Sequence, residues 1–122
     1  MGIAEKLALY ATGPQSQARS PMAVNAVRLS VQAQDVEGYA KACTALADAE
    51  VVDWERVKAN VTIVTGTEDG VAPVDACEGA VGRLGDKGQL EVLKGVGHWS
   101  VFGDVEGVAR LVDQVLGRGR VA

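Results

Sequence analysis

The stretch "VTIVTGTEDGVAP" (residues 61–73) decides what kind of fold this chain has. Its first six residues are mostly apolar and β-branched, and they end at Gly66. Such a run reads as a strand. It lacks a clean alternation of polar and apolar positions, as a strand covered on both faces of a parallel sheet does. Toward the C-terminus, "APVDACEGAVGRLG" (72–85) has Pro73 near a helix start, apolar residues at Val74, Cys77, Ala80, Val81 and Leu84, and a glycine stop. "QLEVLKG" (89–95) reads as a second strand, and "DVEGVARLVDQVLG" (104–117) as an amphipathic helix capped by Asp104 and closed by Gly117. Strand, helix, strand, helix at this spacing is a βαβα unit with two parallel strands. Two strands alone leave unpaired edges and uncovered apolar faces.

Toward the N-terminus the pattern is helical. "SPMAVNAVRLSVQAQ" (20–34) opens with Ser20 as an N-cap and Pro21 at the first helical position. "DVEGYAKACTALADA" (35–49) has Asp35 as its cap and Val36, Tyr39, Ala40, Cys43 and Leu46 along one face. "ATGPQSQARS" (11–20) reads as a polar turn or loop. The expected organisation is a helical segment over 1–50 followed by the βαβα unit over 51–122.

Composition narrows the function classes. The 122 residues suit one ordinary domain, and 48% are apolar with only 4% aromatic, so Ala, Val and Leu carry the hydrophobic content. The net charge is −4, with no basic stripe, which argues against a nucleic-acid partner. Cys43 and Cys77 fit no CxxC pattern and only one histidine is present, so no metal is expected and the thiols are read as reduced and buried. The apolar run at the N-terminus is too short for a secretory signal and no stretch reaches transmembrane length. The expectation is a cytoplasmic protein with no membrane partner.

In an open parallel sheet, functional groups collect in the loops after the carboxyl ends of the strands. The loop after the first strand carries Asp69, and the loop after the second, "GVGHWS" (95–100), carries His98. A carboxylate that orients an imidazole supplies two of the three members of a nucleophilic triad. Glu68 and Asp75 are the weaker rivals for the acid. Gly95 and Gly97 allow a tight turn that points the ring back over the sheet.

These residues resemble the C-terminal half of an α/β-hydrolase. The likeness rests on a late strand followed by G-x-x-D-x-x-x-P, then a last strand followed by G-x-G-H-W and a closing helix. The order of acid before histidine agrees with that family. The segment "QDVEGYAKACTALA" (34–47) is similar to the cap of 3-oxoadipate enol-lactonases. The resemblance implies an incomplete α/β-hydrolase fold, with 1–50 a remnant of the cap and 51–122 part of the core. It also implies a carboxylic ester or lactone substrate, Asp69 as triad acid, His98 as general base, and no cofactor. Trp99, Tyr39 and Arg28 are the candidate pocket residues.

The family's nucleophile elbow, G-x-S-x-G, is absent. None of Ser16, Ser20, Ser30 and Ser100 follows a strand in an elbow, and "DACEG" around Cys77 has Asp75 where the first glycine belongs. Loss of the nucleophile costs on the order of 10⁶ in turnover, so the isolated chain is expected to be inactive. Two alternatives accompany this reading. One is an assembly module or half-enzyme whose sheet edge pairs with another copy or chain. The other is a different hydrolase branch, such as a haloperoxidase-like esterase or an epoxide hydrolase.

Overall fold

The computed structural model describes residues 2–118; residues 119–122 of the second expected segment lie outside that range. Four helices come first: α1 (Ile3–Thr12), α2 (Pro14–Arg19), α3 (Pro21–Gln32) and α4 (Val36–Ala47). A single 3-10 turn at Trp54–Arg56 leads into β1 (Val61–Gly66), α5 (Val74–Leu84) and β2 (Gly88–Leu93). The short helix α6 (Ser100–Gly103) and the longer α7 (Val105–Arg118) follow. The protein is thus mixed α/β, predominantly helical, with a small parallel sheet.

The sheet is the pair β1–β2, in parallel register from Val61↔Gly88 to Gly66↔Leu93. Parallel pairing demands a crossover, and α5 supplies it, packing against both strands. Because the two strands run the same way, residues 67–73 and 94–99 leave the sheet at one end. Backbone hydrogen bonds continue past the strand ends. Thr67 N–H donates to the Leu93 carbonyl (3.0 Å) and Glu68 N–H to the Val96 carbonyl (2.9 Å). Gly95 N–H donates to Thr67 Oγ1 (2.8 Å). These bonds tie the two loops to each other beyond the end of the sheet.

Buried apolar side chains form two small groups. Ala8, Ala11, Ala23 and Val27 fill the seam of α1 and α3, while Cys77, Leu84 and Val96 lie with the sheet and its crossover. Small residues at the α1–α3 contact let the backbones approach closely.

Several local readings need correction. The segment read as a polar loop contains α2, because Pro14 starts a helix at its first turn and the polar side chains have partners elsewhere in the fold. Ser16 Oγ donates to the Gly95 carbonyl (3.1 Å), as does the Arg19 guanidinium (2.8 Å). Ser20 makes no side-chain cap; its carbonyl instead accepts from Ala23 N–H (2.9 Å). Asp35 does cap α4, accepting from Gly38 N–H at 2.7 Å. The face of α4 read as apolar is exposed at Val36, Tyr39, Ala40, Cys43 and Leu46. Cys43, on that face, is an exposed thiol rather than a buried one; Cys77 is buried and both are free. β2 ends at Leu93, short of the expected Gly95, whose φ of +66° leaves the strand conformation. Asp104 caps α7 through Gly107 N–H (2.9 Å), but the helix runs past Gly117 to Arg118.

Candidate active site

Asp69 and His98 meet at the C-terminal end of the sheet. Asp69 Oδ2 lies 3.0 Å from His98 Nδ1. The carboxylate is fixed from its other side: Oδ1 accepts from the backbone N–H groups of Val71 and Ala72, each at 2.8 Å. An aspartate reaching its own backbone two and three residues on is an Asx-type turn, which the sequence "EDG" favours. Glu68 and Asp75 do not compete for the ring. Glu68 Oε2 accepts from Gln15 N–H (3.0 Å), and Asp75 Oδ1 accepts from its neighbour Ala76 (2.9 Å).

Burial and orientation divide the pair into a fixed acid and an accessible base. The Asp69 side chain is 4% exposed and that of His98 38%. Burial acts to raise the Asp69 pKa. The hydrogen bonds from Ala72 N–H, His98 and Val71 N–H, together with the charge of a protonated His98, outweigh it and hold the carboxyl below its ordinary value of 3.8. An ionised carboxylate only accepts hydrogen bonds, so the ring proton of neutral His98 belongs on Nδ1 and the lone pair on Nε2. Nε2 has no hydrogen-bond partner among the described residues.

The histidine loop is seated against the helical segment. Trp99 N–H donates to the Ala11 carbonyl (3.2 Å), and Tyr10 Oη donates to the Gly70 carbonyl on the acid loop (3.0 Å). Gly97 passes so close to α1 that an added Cβ would stand 2.5 Å from the Ala11 oxygen and from the Thr12 carbonyl carbon. Val96, fully buried between the two loops, anchors the turn. The roles of Tyr10, Ser16 and Arg19 left no motif in the sequence. The only trace of Ser16 and Arg19 was a cluster of polar residues, "QSQAR", which needed partners if that stretch was to pack.

His98 faces a cavity of about 320 Å³ between α1, α3, the start of α4 and the two loops. Trp99 and Tyr39 line it, as do Val27, Val31 and Ser30. Trp99 also stacks on Phe102 of α6, with ring centroids 5.7 Å apart. Arg28 does not line the cavity; its guanidinium donates to Asn25 Oδ1 (3.1 Å), and its Nε is buried without a partner. Ser30 makes no hydrogen bond to His98, and Ser16 is fully buried with its hydroxyl committed to Gly95. Among the described residues, no three His, Cys, Asp or Glu side chains come together as a metal site would need, and no helix is long and apolar enough to cross a membrane.

A scan against protein-family models and a search of curated proteins both return no match to this chain.

Proposed function

We propose that this chain carries the acid–base pair of an α/β-hydrolase acting on carboxylic esters or lactones, similar to the 3-oxoadipate enol-lactonases. The observation that supports it most is Asp69, fixed by two backbone N–H groups and turned onto His98 Nδ1, with Nε2 left free beside a cavity. Residues 1–50 act as cap and 51–122 as core.

In the reaction, Nε2 takes the proton of a serine hydroxyl as its oxygen bonds to the carbonyl carbon. Asp69 stabilises the imidazolium so formed. His98 then gives that proton to the departing alkoxide. Water repeats the sequence on the acyl-serine, releasing the acid and restoring the hydroxyl. The serine belongs to a strand-to-helix elbow outside these 122 residues, because no G-x-S-x-G occurs within them.

The test starts from the native transcript, read upstream of Met1. A frame that continues into a G-x-S-x-G elbow supports the reading if the longer protein turns over a short-chain p-nitrophenyl ester and loses that activity in His98→Ala. A stop codon immediately upstream, with no nucleophile-bearing chain co-purifying, overturns it.

A second reading has its own observation. The sheet has only two strands, so each keeps an unpaired edge among the described residues. Beside it, Thr62 and Val64 of β1 line an apolar groove with Val108, Leu111 and Val115 of α7. Open edges with apolar flanks pair with further strands. In this reading the chain assembles with another copy, or with a chain that completes the sheet.

A further inference from the structure

We infer that Thr65 is a positioning residue for the Asp69–His98 pair: its buried hydroxyl fixes the backbone of Ala72, which in turn fixes the Asp69 carboxylate. Its part in turnover rests on the hydrolytic reading of the site, whereas its effect on the His98 ring does not. The chain of contacts starts in the strand. Thr65 stands next to last in β1 and is 2% exposed. Valine has the same branched shape, suits a buried strand position and carries no polar side-chain atom. A hydroxyl buried there costs free energy unless it is bonded.

Thr65 Oγ1 has two acceptors within reach, the Ala72 carbonyl at 2.7 Å and Asp69 Oδ2 at 3.4 Å. A hydroxyl has one proton, and only the shorter distance lies in the range of a good O–H···O bond. The proton therefore goes to Ala72, and Oδ2 keeps His98 Nδ1 as its close partner at 3.0 Å. Ala72 also donates its own N–H to Asp69 Oδ1 at 2.8 Å. It is thus held at its carbonyl by the strand and at its N–H by the acid. Pro73 follows and disfavours helical backbone at Ala72, which leaves that carbonyl few other directions. The other donor there is the Cys77 thiol at 3.5 Å, a weak one. Burial acts to raise the Asp69 pKa, and the bond from Ala72 heads the contributions that bring it down instead. Without the hydroxyl, the Ala72 carbonyl turns toward water and its N–H leaves Oδ1. The carboxylate is then held by Val71 N–H alone and spends part of its time turned from the ring.

Two variants of the whole chain separate the hydroxyl from the packing. Thr65→Val removes the hydroxyl and keeps the shape; Thr65→Ser keeps the hydroxyl and removes a methyl group. In each, 15N NMR at pH 8 reads which nitrogen of His98, the only histidine, carries the ring proton, and circular dichroism reports folding. The ratio of Nδ1–H to Nε2–H rings should fall roughly five-fold in Thr65→Val, the equivalent of one hydrogen bond, and stay within about two-fold of the unaltered chain in Thr65→Ser. In a longer protein that bears the serine, the Thr65→Val loss should appear in kcat with KM unchanged, because Thr65 does not line the cavity.

An unmoved ring in folded Thr65→Val overturns the inference. So does a ring moved as far by Thr65→Ser, which would assign the effect to packing. Should Thr65→Val not fold, Thr65→Ser decides: an unmoved ring supports the role of the hydroxyl and a moved one refutes it. The hydrolytic reading is judged separately. A longer protein that is inactive in every form would refute hydrolysis and leave the dependence of the ring on Thr65 standing.

Discussion

Replacing Asp69 by asparagine keeps the shape of the side chain and removes its charge. The amide oxygen can still accept from Val71 and Ala72 N–H, which now bond at 2.8 Å to a carboxylate oxygen. A hydrogen bond to a charged group contributes roughly 1.5–3 kcal/mol and a neutral one about 1 kcal/mol, so two such exchanges cost about 2 kcal/mol. Relief of burying a carboxylate that is only 4% exposed offsets part of this. The His98 contact adds little, because that ring is 38% exposed and its attraction is screened. The net expectation is a loss of about 1–2 kcal/mol at pH 7, read as a lower urea midpoint with an unchanged slope. The folded-state pKa of Asp69 lies below its ordinary 3.8. Its contribution is therefore present above that value and lost as pH falls through the lower folded one, so the gap between the two proteins should close as the pH drops below that folded value. A second readout is the ring itself. The new amide N–H would face Nδ1 and drive the ring proton to Nε2, which 15N shifts of the single histidine report. In a complete enzyme the wrong tautomer costs on the order of 10⁴ in turnover. An equal or higher midpoint for Asp69→Asn at pH 7, a gap that persists in acid, or an unmoved ring proton would each refute the reasoning.

Three further outcomes are expected. The isolated chain should hydrolyse p-nitrophenyl acetate no faster than buffer, since it contains no nucleophile elbow; steady turnover abolished by His98→Ala would contradict this. Gly97→Ala should destabilise by roughly 1–3 kcal/mol, because the added methyl group meets the backbone of Ala11 and Thr12. Gly79→Ala in α5, where a Cβ meets nothing within 4 Å, should stabilise by roughly 0.5–1 kcal/mol, and similar melting temperatures for the two variants would sink the contrast. If the sheet edges pair, sedimentation should show a mass that rises with concentration while far-UV circular dichroism stays constant. A monomer throughout, in the presence of the exposed Val112, Val115 and Leu116, would remove assembly with another copy.

What could be read from the sequence was local. β1 announced itself through β-branched residues and a terminal glycine, and its bounds coincide with the expected 61–66. The juxtaposition of Asp69 and His98 followed from parallel pairing alone, because parallel strands bring the loops after them to one end. Which of three acids would face the ring was harder to read. Glu68 stands beside Asp69 in the loop and Asp75 in the first turn of α5, and the choice depends on position: Asp69 closes the turn onto Val71 and Ala72 while its second oxygen stays aimed at Nδ1. Helix α2 was not legible, since a six-residue polar helix has no apolar stripe and exists through its tertiary bonds. The periodicity of α4 misled in the opposite sense. An amphipathic pattern shows that a face is suited to burial, yet Val36 and Leu46 on that face stay exposed in the described fold.

These failures bear on how the site is built. A sheet of two strands is too small to hold the loops of Asp69 and His98 by itself. The loops are held instead by cross-links outside the sheet. Thr67 and Glu68 bond across to the histidine loop, and Ser16 and Arg19 converge on the Gly95 carbonyl. Glu68 takes Gln15 N–H, and Tyr10 reaches Gly70. Helices α1 and α2 thus reach both loops, and the stretch that sequence periodicity described least well helps to hold Asp69 and His98 in register. It follows that the 3.0 Å contact between Asp69 and His98 depends on α1 and α2 as well as on strand pairing. Substitutions in "QSQAR" should therefore disturb the histidine before they disturb the sheet.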